Sequence, residues 1–262
     1  MDQQLLLNDE RDKRISFLEE PHLYLIDGKE VPGLLSVTTF VHNFFEHFDA
    51  DKVIENMMNS RGWINSKYHG KTPDEIKAEW DKIRDEAADA GTKMHLAIEQ
   101  HYNSQIDPTI PLKQDPAVVD TKEYRYFEEF LKDHAHLVPF KTEWRIFDEE
   151  LKIAGSIDMI FKDPNNENCI YIYDWKRSKE IKYQNRFQKG LTPLEHLDDC
   201  NYNHYTLQLN VYRYIIEKNY GFKVTELAIV VFHPNNDSYR KISLEFKDDE
   251  IERIMSHRKM SI

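Results

Sequence analysis

Two short stretches of this chain place charge inside apolar β-strands, and that limits what it can fold into. One is Ala154-Gly155-Ser156-Ile157-Asp158-Met159-Ile160-Phe161; the other is Ile170-Tyr171-Ile172-Tyr173-Asp174-Trp175-Lys176. Both are rich in the Ile, Phe and Tyr that suit a pleated, buried surface. Each carries an aspartate where such a strand prefers an apolar residue, and the second ends in a lysine two positions after its aspartate. Side chains alternate along a strand, so Asp174 and Lys176 project from one face. Charges buried there are costly unless they are paired or hold a metal. Two carboxylates and a lysine converging in a sheet suit divalent-cation-dependent hydrolysis of a phosphodiester.

At 262 residues the chain is long enough for one large domain, or one core with an added subdomain. No apolar run approaches the roughly 18 residues of a membrane-spanning helix, so no membrane association is expected. The start, Met1-Asp2-Gln3-Gln4, is polar and lacks the basic and apolar regions of a signal peptide. With only Cys169 and Cys200 present, a reducing compartment is expected: intracellular (cytoplasm, nucleus or a viral replication site), not secreted. A four-cysteine iron–sulfur cluster cannot be built from this chain. The formal charge of −12 argues against a coat for duplex DNA, and an acidic surface is compatible with a protein partner. The charge is uneven, however. Residues 74–89 hold seven acids and three bases, whereas residues 176–189 hold six bases and one acid. Either run alone is an ordinary solvated face; the basic one gains weight by directly following Lys176.

The expected organisation is α/β (α+β), with a central mixed β-sheet flanked by helices. Residues 1–88 would form an N-terminal hairpin and helical cap, and 89–262 the core. His22–Ile26 and Lys29–Val31 flank Asp27-Gly28 as a hairpin. Ser36–Phe45 reads as an apolar helix. Thr72-Pro73-Asp74-Glu75 is a helix start with N-cap, Pro at the first position and Glu at the third. Ile76, Trp80, Ile83, Ala87, Ala90 and Met94 then mark one face at helical spacing, running toward His95 and Ile98. Another helix is predicted over 122–133, with Tyr124, Phe127, Phe130 and Leu131 inward. Strands follow at 142–148, 151–162 and 169–176, then a long loop, a helix at 202–219, strands at 226–233 and 239–246, and a short helix at 248–258.

A hard cation wants oxygen ligands. Asp158 and Asp174 supply two carboxylates from neighbouring strands, and the Trp175 backbone carbonyl between Asp174 and Lys176 can supply a third oxygen. Lys176 would position the nucleophile and offset charge growing on the phosphate. Singly, Asp158 is an ordinary cap carboxylate and Lys176 a strand-end lysine reaching for water; at strand spacing inside apolar runs, the joint reading prevails. Gly91 in Gly91-Thr92-Lys93-Met94-His95 would permit close approach of another backbone. A lone helical histidine such as His95 is more often a core or surface residue than a ligand, and Glu99 one turn on would orient it or face solvent. Gln208 and Tyr212 lie one turn apart on a helix, either as a polar face with one packed tyrosine or with Gln208 reaching the lysine or a phosphate.

Four motifs occur in order: Gly91-Thr92-X-X-His95, Gly155-X-X-Asp158, Asp174-X-Lys176 and Gln208-X-X-X-Tyr212. With Val31-Pro32-Gly33-Leu34-Leu35-Ser36-Val37-Thr38-Thr39 near the start, the chain resembles the RecB-like branch of the PD-(D/E)XK nuclease superfamily, which includes lambda-exonuclease-type and mitochondrial genome-maintenance exonucleases. The resemblance covers about residues 90–233, and more loosely 22–45. It implies a restriction-endonuclease-like core and a metal shell of His95, Asp158, Asp174 and the Trp175 carbonyl, with Glu143 on the preceding strand as a further ligand. Lys176 would be the catalytic lysine, Gln208 and Tyr212 supporting site residues, and Ser36 and Thr38 contacts to the nucleic-acid backbone. Mg²⁺ or Mn²⁺ is the implied cofactor. The implied activity is a deoxyribonuclease, acting as an exonuclease on single strands or duplex ends, leaving 5′-phosphate and 3′-hydroxyl products, in DNA replication, repair or recombination. Arg177, Lys179, Lys182 and Arg186 are candidate phosphate contacts. A non-catalytic nucleic-acid-binding scaffold and an RNA-directed nuclease are the competing readings. No Walker-type phosphate loop occurs, so no fused helicase motor is expected.

Overall fold

The structure, a computed structural model, describes residues 10–262; the polar tetrapeptide Met1–Gln4 lies outside them. A small antiparallel sheet comes first: β1 (Ile15–Leu18), β2 (Leu23–Ile26) and β3 (Lys29–Glu30). Asp27 and Gly28, at φ 52° and 71°, both take the left-handed conformation a type I′ hairpin turn requires. Ile15 and Ile26 pack this sheet against Phe147 and Ala154.

β4 (Leu35–Ser36) leads into α1 (Val37–His42), shorter than the helix predicted over 36–45. Ser36 caps it, accepting from Thr39 N at 3.0 Å. α2 (Ala50–Met58) follows. α3 (Pro73–Ile106) begins at the predicted capping box, with Thr72 and Glu75 satisfying each other's backbone donors. At 34 residues it is about 51 Å long. Its apolar stripe is not buried throughout: Ile83 and Ala87 are exposed, and residues 81–89 are solvated on every side. This waist lies between two packed ends. Ile76 joins Ile54 and Tyr68 in a small cluster with α2, while Met94, Ala97 and Ile98 enter the main core. Across the waist the acidic run makes local pairs, Arg84 with Asp81 (2.7 Å) and Lys93 with Asp89 (2.6 Å). Such pairs support a solvated helix by a few tenths of a kcal/mol each.

After α4 (Pro116–Val119), α5 (Lys122–Asp133) matches its predicted bounds, with Tyr124, Phe127 and Phe130 buried and Leu131 partly so. Three long strands follow: β5 (Val138–Asp148), β6 (Ile153–Asp163) and β7 (Asn166–Lys176). Then come α6 (Asn201–Asn219), β8 (Lys223–Val231), β9 (Arg240–Ser243) and α7 (Asp248–Met260). The sheet is mixed: β5 and β7 run antiparallel to β6, β4 parallel to β6, β8 parallel to β7, and β9 antiparallel to β8.

Alternation along the strands gives this sheet two buried faces. Ile170 and Ile172 of β7, with Leu227 and Ile229 of β8, pack under α1, α6 and α7. Tyr173 and Trp175, with Val230 and Phe232, pack under α5 and the C-terminal half of α3. Asp174 and Lys176 share the parity of Ile172, so they face the α6 side. Among the described residues, no helix is long and apolar enough to cross a membrane.

Candidate active site

The central sheet forks beside Asp158. β5 pairs along one edge of β6 from Ile153 to Lys162. On the other edge β4 pairs only with Ile153 and Ala154, and β7 only from Met159 onward. Residues 155–158 therefore have no strand partner on that edge. β7 parts from β6 after Tyr173 and continues through Asp174, Trp175 and Lys176 paired with β8 alone. The Trp175 N–H, freed from the β6 ladder, donates instead to Asp158 Oδ2 at 2.8 Å.

Around this fork the charged groups crowd together. Lys176 Nζ lies 2.6 Å from Asp174 Oδ2. His95, projecting from α3, brings Nδ1 to 3.5 Å from Asp158 Oδ2 and also contacts the Trp175 backbone. Glu143 stands on β5 between Thr142 and Trp144, which pair with Met159 and Ile157, and so lies across from Asp158. It holds φ 43°, a left-handed conformation costing a non-glycine residue about 1–3 kcal/mol. Ser156 Oγ donates to Glu143 Oε2 at 2.8 Å.

Burial, reinforced by Asp174, raises the pKa of Asp158 well above the ordinary carboxylate value. Burial likewise raises Glu143, with Ser156 opposing and Glu99 adding to the rise. His95 is pushed down by burial, the nearby acids opposing. Burial alone would lower Lys176, but Asp174 and Asp158 outweigh it and its pKa lies above the usual lysine value.

The donor set fits a divalent cation. One atom each of His95, Glu143 and Asp158 lie within 4.8 Å of one another. Asp174 stands beside that set: its buried Oδ2 is paired with Lys176 Nζ at 2.6 Å, and its charge acts on Asp158, Glu143 and His95. Raised carboxylate pKa values and an imidazole held neutral describe ligands that await positive charge.

Gln208 lines a cavity of about 280 Å³ together with Lys176, Thr38 and His42, and its Nε2 donates to Tyr212 Oη at 3.2 Å. Tyr212 is buried against Gly155, where an added Cβ would come 2.6 Å from Tyr212 Cε1 and 3.0 Å from Val37 Cγ2. That close approach explains the glycine ahead of Asp158. Gly91 is different from expectation: nothing lies within 4 Å of where its Cβ would be, because it sits on an open face at the edge of the solvated waist. Glu99 accepts from Asn103 Nδ2 at 3.3 Å. The Ser36 hydroxyl is occupied by its capping role and by donation to Thr39 Oγ1 at 2.8 Å. Arg177 Nε donates to the buried Glu123 at 2.9 Å, whereas Lys179, Lys182 and Arg186 are exposed.

Two contributors escaped the sequence reading. The ring of Tyr205 lies 4.8 Å from Lys176 Nζ, and Ser156 holds Glu143. Tyr205 stands three residues before Gln208 on α6, and Ser156 two before Asp158 on β6, so spacing alone offered a signal for both.

Residues 66–259 match the sequence profile of the PD-(D/E)XK nuclease superfamily. No curated protein matches the chain. A crystal structure from Eubacterium rectale described as "Putative exonuclease" resembles it with a TM-score of 0.39 and 14% identity, over 65% of this chain and 64% of that one. The chain thus spans just under two thirds of that protein's length. The structure of SSO0001 has a TM-score of 0.31 and 12% identity, over 100% of this chain and 86% of that one.

Proposed function

Because the chain belongs to the PD-(D/E)XK nuclease superfamily, we propose that it is a deoxyribonuclease of the RecB-like branch, acting as an exonuclease on single strands or duplex ends in DNA replication, repair or recombination. Residues 89–262 would form the catalytic core, and the helices within 1–88 its cap. The observation that carries this reading is the fork itself, where Asp158 accepts the freed Trp175 N–H and, on either side of that amide in the chain, Lys176 pairs with the buried Asp174.

His95, Glu143, Asp158, Asp174 and the Trp175 carbonyl would hold Mg²⁺ or Mn²⁺. When bound, the cation would neutralise phosphate charge and acidify a water. Lys176 stays protonated at neutral pH under the influence of Asp174 and Asp158. Its ammonium would orient the attacking water and donate to the phosphate oxygen on which negative charge grows. The face of Tyr205 supports that ammonium from one side. Gln208, fixed by Tyr212, would donate to a phosphate oxygen from α6. The oxygen of water bonds to phosphorus as the bond to the 3′-oxygen breaks. A proton passes to that oxygen, leaving 5′-phosphate and 3′-hydroxyl ends.

The test is incubation of end-labelled linear single-stranded, linear double-stranded and circular DNA, and the matching RNA, with and without Mg²⁺ or Mn²⁺. A cation-dependent ladder from linear DNA, with circles spared and D174N inert, is expected. Cleavage of RNA alone, or binding without cleavage at any cation concentration, would overturn the proposal.

A further inference from the structure

Residues 177–200 leave β7 directly after Lys176 and return at the start of α6, four residues before Tyr205, so both roots of this segment stand at the candidate site. The segment is firmly built. Asn185 Oδ1 accepts from Phe187 N at 3.1 Å and Gln188 N at 3.3 Å. Asn185 N donates to Asp198 Oδ2 at 3.0 Å, its Nδ2 donates to Asp199 O at 2.8 Å, and Asp199 N donates to Gln188 O at 3.0 Å. Lys189 pairs with Asp198 across the same ladder. The backbone on both sides of Phe187 is therefore pinned, yet the Phe187 side chain is 96% exposed.

A single exposed apolar residue is ordinary on a protein surface. Three further features set this one apart. Lys179, Lys182 and Arg186 are exposed, and among the described residues none of them forms an ion pair, in a chain whose formal charge is −12. Gln188 and Leu191, just beyond Phe187, form one wall of a cleft of about 720 Å³. The same cleft is lined by Lys52 and a second exposed aromatic, Phe48, at 73% exposure. Phe45, at the same cleft, packs its ring 4.1 Å from that of His204, which lines the cavity beside Lys176. An exposed aromatic ring on a pinned backbone, with unpaired cations on the same segment and a cleft separated from the cavity beside Lys176 by the Phe45–His204 ring contact, matches what an unpaired nucleobase and its phosphates require.

We propose that Phe187 is a base-stacking platform that holds an unpaired nucleobase of a single strand whose phosphodiester lies at the Asp158–Asp174–Lys176 fork. This rests on the nuclease reading and adds a positioning residue to it. The test uses full-length D174N protein, a fluorescently labelled single-stranded DNA, and fluorescence anisotropy. Adding F187A is expected to weaken binding about tenfold, the typical loss for one base–aromatic stack. F187W should retain the affinity, and an oligonucleotide with abasic sites should bind the parent and F187A alike. Changing Lys182 and Arg186 to Ala should instead flatten the salt dependence for both oligonucleotides. F187A binding the normal strand as tightly as its parent, or losing as much on the abasic strand, would overturn the stacking role. Unaltered binding and cleavage by F187A in the otherwise wild-type protein would remove that role alone. A parent that binds neither DNA nor RNA would remove the nuclease reading with it.

Discussion

Asp158 Oδ2 accepts the Trp175 N–H at 2.8 Å across the point where β6 and β7 cease to pair. A side chain thus takes the place of a backbone acceptor. The bond satisfies the amide that the fork leaves over, and it fixes Asp158 relative to Asp174 and Lys176 on either side of that amide.

Lys176 is the first group to test. Its ammonium, beside Asp174 and above Tyr205, is a point charge with three donors. K176A should lower single-turnover cleavage by about 10²–10³-fold, the usual loss for one preorganised donor. K176R should not rescue it, because a planar guanidinium cannot occupy the same space. Wild-type rates in K176A would remove the lysine from the mechanism.

Gly155 should be intolerant of any side chain. A Cβ there meets the Tyr212 ring at 2.6 Å. G155A is expected to cost about 1–3 kcal/mol in urea unfolding, the range for overpacking. Combined with Y212L, its additional cost should shrink, because the clashing ring is gone. Additive losses would show that Tyr212 is not what the glycine accommodates.

Cation binding should strengthen as pH rises. Asp158 and Glu143 have raised pKa values, so each keeps its proton to higher pH than an exposed carboxylate and the ion must displace it. Isothermal titration with Mn²⁺ should therefore show proton release and a smaller Kd when the pH is raised by roughly two units from mildly acidic. Saturation at about 100 times Kd should stabilise the fold by about 2.7 kcal/mol, a rise of several degrees in Tm. D158N should lose that rise. A Kd independent of pH would contradict the raised carboxylate pKa values.

Asp148 should contribute stability that acid removes. It is 1% exposed, with Lys218 Nζ at 2.9 Å and Asn219 Nδ2 and Leu151 N both at 2.8 Å. Burial alone would raise its pKa, but these donors outweigh it and the folded-state pKa is lowered. Its stabilisation is then fully present above the unfolded-state pKa of about 3.9 and fades as pH falls through the lower folded-state value. D148N should cost about 2 kcal/mol at neutral pH, as expected for lost charge-assisted hydrogen bonds, and distinctly less near pH 3. Equal losses at both pH values would refute the linkage.

Local rules made much of this architecture readable in advance. Asp27-Gly28 demanded a hairpin, Thr72 to Glu75 a helix start, and the apolar runs around Asp158 and Asp174 two buried strands. Period-two alternation also put Asp174 and Lys176 on one face, since that depends on strand geometry alone. The stripe on α3 misled at Ile83 and Ala87 because periodicity reports which residues share a face, and whether another element covers that face is a tertiary matter. Gly91 and Gly155 were alike as letters, but only Gly155 has a ring packed against it. Neither the fork between β6 and β7 nor the left-handed Glu143 follows from any local rule, and helical spacing put Tyr205 on the face of Gln208 without bringing it to Lys176. Each arises where segments far apart in the chain meet, and contacts of that kind are selected by the packing of the whole sheet and its helices, which no short stretch of residues encodes.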